Sequence, residues 1–166
     1  MSVKLIEESD WEGILKVQAG AYEKLGPEAL EVLKCKWRNL PAANFVHAKD
    51  KVVDAYLIAH SWNHQVPPKL HTLLPENIHG SILLLHDLAV SNTVAGLGVG
   101  SKLVAHLVNA ARLMKFAEIR LVSLRESVAF WQKMGFVEDS KVGACPGYGS
   151  GAKVMYRVLS TCTDAA

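Results

Sequence analysis

Between four consecutive aliphatic residues, Ile82-Leu83-Leu84-Leu85, and a stretch marked by Leu103, Val104, Leu107, Val108, Ala111 and Met114 lies a turn with a glycine at every second position, Ala95-Gly96-Leu97-Gly98-Val99-Gly100. The aliphatic run fits a strand covered on both faces. The later spacing fits an amphipathic helix. The turn is therefore a strand-to-helix connection. Glycines there let the backbone approach a ligand closely, and a helix N-terminus adds unpaired N–H groups and the positive end of its dipole. A phosphate or pyrophosphate suits such a place. A tight connection that binds nothing is the plain alternative.

Two common phosphate patterns fail at this turn. A Walker A loop requires Gly-Lys followed by Ser or Thr, and Gly100 is followed directly by Ser101. The dinucleotide pattern GxGxxG ends on Ser101 when counted from Gly96 and on Leu103 when counted from Gly98.

Hydrophobic spacing divides the rest of the chain. Val3 to Ile6 reads as a strand, and Ser9-Asp10-Trp11-Glu12 as a capping box opening a helix with Ile14, Leu15 and Tyr22. Gly26-Pro27 restarts a second helix, with Leu30, Leu33 and Trp37 on one face. Asn44–Lys49 and Val52–Ser61 form a hairpin across Lys49-Asp50-Lys51. A long irregular stretch, Asn63–Gly80, precedes the strand Ser81–Val90; a loop of that length is functional or mobile. After the glycine turn and its helix come a strand at Ile119–Val122, a short helix at Ser127–Met134 closed by Gly135, and strands at Phe136-Val137 and Val154–Leu159. The order β-α-α-β-β-β-α-β-α-β-β predicts an α+β fold with a mixed sheet packed by helices, not a doubly wound one.

Composition narrows the function. The chain has 166 residues, 50% hydrophobic and 20% charged, which fits one domain over 1–166 with its own core. A formal charge of +2 gives no reason to expect nucleic acid or an anionic membrane. Acidic Glu7 and Glu8 come too early for a secretory signal, and no apolar run spans a bilayer, so a cytoplasmic protein is expected. Cys35, Cys145 and Cys162 are widely spaced and read as reduced thiols. His60 and His64 lack a third partner, and no metal is expected.

The segment His86-Asp87-Leu88-Ala89-Val90, the glycine turn, and Ser127-Val128-Ala129-Phe130-Trp131-Gln132-Lys133-Met134-Gly135-Phe136 together resemble the GNAT (Gcn5-related N-acetyltransferase) superfamily. Its central signature, Q/R-x-x-G-x-G/A, is matched at both glycine positions by Ala95 to Gly100. Phe130 to Phe136 looks like the second hallmark, F-Y-x-K-x-G-F. The resemblance covers Ile82 to Phe136. It implies a mostly antiparallel sheet of six to seven strands flanked by about four helices, with acetyl-CoA as cosubstrate. Pantetheine would lie along Leu88, Ala89 and Val90, and the pyrophosphate on the amides of Ala95, Gly96, Leu97, Gly98, Val99, Gly100 and Ser101. Ser127 and Trp131 would contact the pantetheine arm. Two positions depart from the family: Ala95 replaces its Gln or Arg, and Trp131 replaces its tyrosine. Indole N–H donates a hydrogen bond but does not titrate, so Trp131 cannot protonate a leaving thiolate.

Acetyl transfer needs an amine that has lost its proton and a polarised thioester. His86, interrupting an apolar strand beside the expected carbonyl, is the candidate base; a core histidine bonded to backbone is the alternative. Strand alternation would turn Asp87 to the opposite face. The Leu88 N–H is the candidate oxyanion donor. Tyr148 and Tyr156 are candidates for the acid. Lys102, Lys133 and Arg112 could meet a terminal phosphate, with solvated surface as the simpler reading. The acceptor is expected to be an amine near the Tyr22–Trp37 helices and the Asn63–Gly80 loop, where Trp62 and His64 could touch it. A homodimer is compatible with the sequence. The competing function is a non-catalytic acyl-CoA sensor, which would need no base at His86.

Overall fold

The computed structural model describes residues 2–22 and 26–159, so Cys162 lies outside the described residues. The strands are β1 (Ser2–Leu5), β2 (Phe45–Lys49), β3 (Val52–Trp62), β4 (Ile82–Val90), β5 (Glu118–Ser123), β6 (Val137–Glu138) and β7 (Lys153–Val158). The helices are α1 (Trp11–Ala21), α2 (Leu30–Asn39), α3 (Val99–Leu113) and α4 (Val128–Lys133). This is the predicted element order. The seven strands form one sheet in the order β1-β2-β3-β4-β5-β7-β6, antiparallel throughout except for the β4–β5 pair. The fold is α+β of the expected GNAT-like kind.

Apolar residues on the two sheet faces build two cores. On one face Leu83 and Leu85 of β4 meet Leu103, Val104, Leu107 and Ala111 of α3, with Trp131 and Phe136 behind them. On the other, Val46, Tyr56, Ile58 and Ala89 meet Trp11, Ile14 and Leu33 of α1 and α2. Full burial of such a side chain contributes about 1.5–3 kcal/mol, so α3, which buries six residues, is firmly seated.

Three local expectations shift. The capping box sits two residues earlier than predicted: Asp10 accepts the Glu7 amide at 2.8 Å, and Glu7 in turn accepts the Asp10 amide. Gly26-Pro27 does not start α2. Residues 26–29 are non-helical and the helix begins at Leu30. The third change is in β4. Ile58 faces Asp87 and Ala59 faces Leu85, so His86 is the extra residue of a β-bulge. A bulge reverses the alternation that follows it. His86 and Asp87 therefore share the α1/α2 side, and Asp87 does not point to the opposite face as expected.

The loop between β3 and β4 has neither helix nor strand from Asn63 to Ser81, yet it is bonded along its length. Trp62 Nε1 donates to Val66 O at 2.9 Å, Arg120 Nη1 to Gln65 O at 3.2 Å, and Tyr148 Oη to Pro68 O at 3.1 Å. The His71 amide donates to Glu28 at 2.9 Å, Lys36 Nζ to Thr72 O at 3.1 Å, and Asn39 Nδ2 to Ile78 O at 3.0 Å. At its end Gly80 passes so close to β3 that a Cβ would fall 2.1 Å from the Trp62 carbonyl oxygen.

Candidate active site

β4 and β5 pair only from Ile82–Leu84 to Glu118–Arg120. Beyond that point β4 continues against β3 and β5 against β7, so the two strands part. The parting exposes one edge of β4. The Ser91 amide donates to Asp54 O on β3 at 2.8 Å. Because N–H and C=O groups alternate sides along a strand, those of Val90 and Leu88 face the gap. Ala89 faces β3 instead, and its side chain lies in the α1/α2 core, so Ala89 is corrected out of the candidate site. The Leu88 carbonyl already accepts Tyr22 Oη at 2.8 Å, which leaves the Leu88 N–H as its group toward the gap.

The glycine turn continues from this edge. Gly96 and Gly98 both have φ +77°, a left-handed conformation that glycine adopts without strain, and Gly98 is the N-cap of α3. The Ala95 amide is bonded to Asn92 O at 3.4 Å and that of Leu97 to Val94 O at 3.3 Å. These two amides are therefore not available to a ligand, which corrects the expectation for Ala95 and Leu97. Leu97 is also 63% exposed. The first internal helical bond from the turn is Lys102 N to Gly98 O at 3.1 Å; the amides of Gly96, Gly98, Val99, Gly100 and Ser101 have no partner among the described residues. They border an open pocket of about 420 Å³ that also reaches Leu88, Val90 and Phe130.

Where the strands part, a smaller cavity of about 120 Å³ touches Leu88, Ser127, Phe130 and Trp131. Trp131 is 6% exposed and packs edge-on against Phe130 and Phe136, at 4.9 and 5.3 Å between ring centroids. Trp131 is mainly a core residue, and the neighbouring Phe130 reaches the larger pocket. Ser127 caps α4 without a side-chain bond to its backbone.

A third cavity, about 60 Å³, adjoins the gap and shares Tyr22, His86, Asp87, Val122 and Leu124 with it. Glu28 and Tyr148 line it too. The His86 imidazole is turned inward: Nε2 bonds to Glu28 Oε1, while Nδ1 is buried without a partner. Burial would raise the Glu28 carboxyl, but the His86 bond and charge, the His71 amide and the Lys36 charge outweigh it and lower its pKa to about 2. Lys36 is fully buried, and desolvation lowers its pKa. Asp87 accepts Tyr56 Oη at 2.6 Å, and burial raises its pKa. Burial also raises Tyr22, Tyr56 and Tyr148.

The other candidates fall elsewhere. His60 is buried, bonded through Nδ1 to Ser61 O at 2.8 Å, and desolvation lowers its pKa to about 3. His64 is exposed and packs against Trp62, so the two histidines do not converge. Among the described residues no cluster of three potential metal ligands occurs. Tyr156 lies under Arg120, 5.0 Å from its ring centroid, away from the cavity. Arg112 lines a separate groove with Arg157 and Met134, and Lys102 and Lys133 are exposed. Glu28 and Tyr22 line the cavity without a sequence motif that marks them. In the sequence Glu28 follows Gly26-Pro27 and reads as an acid in a helix's first turn. Only the non-helical path of residues 26–29 turns it inward. Among the described residues no helix is long and apolar enough to cross a membrane.

The family of this arrangement of parted strands, bulge and glycine-capped helix is given by the sequence: the profile of the acetyltransferase (GNAT) family matches residues 11–136. The chain belongs to that family. Its fold is shared with Ard1 from Thermoplasma volcanium, at TM-score 0.74 and 16% identity over 95% of this chain and 97% of that one. It is shared with the GNAT-like decarboxylase GphF in complex with isobutyryl-CoA, at TM-score 0.78 and 17% identity over 96% and 100%. The NatC complex bound to Gag peptide and CoA is also similar, at TM-score 0.73 and 17% identity over 96% and 98%. A search of curated proteins gives no significant match.

Proposed function

We propose that this protein transfers an acetyl group from acetyl-CoA to a primary amine. The observation that carries the reading is two groups of unpaired backbone donors along one pocket, at Leu88 and Val90 on the β4 edge and at Gly96, Gly98, Val99, Gly100 and Ser101 at the α3 N-terminus. Pantetheine bonds at Val90 as an added strand, with its thioester end beside Leu88. The pyrophosphate accepts from the amides of Gly96, Gly98, Val99, Gly100 and Ser101, where the helix dipole favours negative charge. Ser127, Phe130 and Trp131 enclose the arm. Backbone recognition needs no side chain at Ala95.

The thioester then lies beside the Glu28–His86 pair. In its basic form the pair carries one proton, held across the Nε2–Oε1 contact. The substrate ammonium gives a second proton to the Glu28 carboxylate at the cavity wall, and the pair becomes neutral overall. The freed amine attacks the carbonyl carbon, and the developing oxyanion is stabilised by the Leu88 N–H. The C–S bond breaks and coenzyme A leaves as thiolate. His86 is thus the base as a member of a pair, with Glu28 at the cavity wall.

His86→Ala tests this assignment. Turnover is expected to fall far more than acetyl-CoA affinity. A variant with the wild-type rate and pH profile removes His86 as base.

A further inference from the structure

The acceptor has its own space, and that space is small. The cavity of about 60 Å³ beside His86 is far smaller than the 420 Å³ pocket at the glycine turn. A water needs roughly 10–15 Å³ by this measure, so the cavity holds a handful of heavy atoms. Leu70, Val122 and Leu124 supply apolar wall, and Glu28 and Asp87 supply carboxylates.

Three chain segments meet over it. The segment carrying Glu28 is joined to the β3–β4 loop through the His71 amide at 2.9 Å. The segment carrying Tyr148 is joined to the same loop through Pro68 O at 3.1 Å. Lys36 holds Thr72 O at 3.1 Å from beneath, on α2. These bonds tie the cover to the same residues that form the site. An extended polypeptide advances about 3.3–3.6 Å per residue and needs a groove open at both ends. Here the β3–β4 loop is bonded to the segments that carry Glu28 and Tyr148.

We infer that the acceptor is a short, unbranched primary amine, entering as its ammonium ion, with nitrogen toward Glu28 and its methylene stem against Leu70, Val122 and Leu124. This rests on the acyl-transfer reading above. The positive head offsets the Glu28 charge, and the absence of branching suits the narrow walls. The bonded loop disfavours a polypeptide laid across the cavity.

The test measures coenzyme thiol release from acetyl-CoA with n-propylamine, n-butylamine, sec-butylamine, and a peptide bearing a free N-terminus and a lysine. Acetyl-CoA binding is measured in parallel by calorimetry. A misplaced methyl group in an apolar pocket changes kcat/KM by about 10–200-fold. The straight-chain amines are therefore expected to exceed sec-butylamine and the peptide by at least ~10-fold. Leu70→Trp, which fills the cavity, should abolish that preference by cutting n-butylamine turnover while leaving acetyl-CoA affinity unchanged. Preference for the peptide, or equal rates for the two butylamines, overturns the inference while leaving acyl transfer standing. Failure of the wild-type protein to bind acetyl-CoA removes both readings.

Discussion

His86 and Asp87, adjacent in sequence, lie on the same side of β4, because Ile58 faces Asp87 while Ala59 faces Leu85. The bulge between them places one residue against Glu28 and the other against Tyr56. It also sits where β4 leaves β5, so the Glu28–His86 contact and the free strand edge lie at the same irregularity.

The Glu28–His86 pair predicts a division between chemistry and binding. Glu28→Gln keeps the size of the side chain and an acceptor for the His71 amide but removes the charge. We expect kcat to fall by ~10²-fold or more, the scale ascribed to a general base, with acetyl-CoA affinity unchanged. Steady-state kinetics beside calorimetry check this. Glu28→Ala should in addition lower stability by about 1–3 kcal/mol, since the buried His86 Nε2 loses its acceptor. Urea unfolding measures that loss.

Acid should destabilise the fold in two stages. His60 is buried neutral, its pKa lowered from the ordinary 6.5 to about 3, so the unfolded chain binds more protons between those values. Stability therefore drops as pH falls below 6.5. Glu28, lowered from 4.5 to about 2, adds a second loss as pH falls below 4.5. Asp87, raised by burial, works against this in the carboxylate range. A melting temperature that declines from pH 7 to pH 5 and flattens over that interval in His60→Gln is the expected outcome. An equal decline in both proteins contradicts the account of His60.

Gly98 tests the phosphate turn. Its φ of +77° is strained for any L side chain, although no atom lies within 4 Å of a Cβ placed there. Gly98→Val should therefore cost on the order of 1–2 kcal/mol in conformation, yet leave a folded protein. Its branched side chain would occupy the ligand side of the turn. We expect acetyl-CoA affinity to fall at least ~10-fold, equivalent to about 1.4 kcal/mol. Calorimetry on the folded variant decides; wild-type affinity contradicts the assignment of the turn.

Much of this was legible in the sequence, and the misses share a cause. Alternation and helical spacing report which residues are buried, so the element order and both cores could be read from Ile82–Leu85, Leu103–Ala111 and Leu30–Trp37. Alternation has no term for an inserted residue, so the bulge at His86 inverted the face of Asp87. Local sequence also cannot show where a free amide already has a partner. Ala95 and Leu97 resembled their neighbours in the turn until Asn92 and Val94 were seen to hold their N–H groups. Glu28 depends on tertiary contacts entirely: it is 58 residues from His86.

The central claim is that the bound thioester is transferred to an amine and not merely held. The most direct measurement is release of coenzyme A thiol from acetyl-CoA, with and without n-butylamine, by the wild-type protein. The account predicts release that depends on the amine, accompanied by stoichiometric N-acetylated product. Acetyl-CoA binding with no amine-dependent release would contradict it and mark the protein as an acyl-CoA sensor.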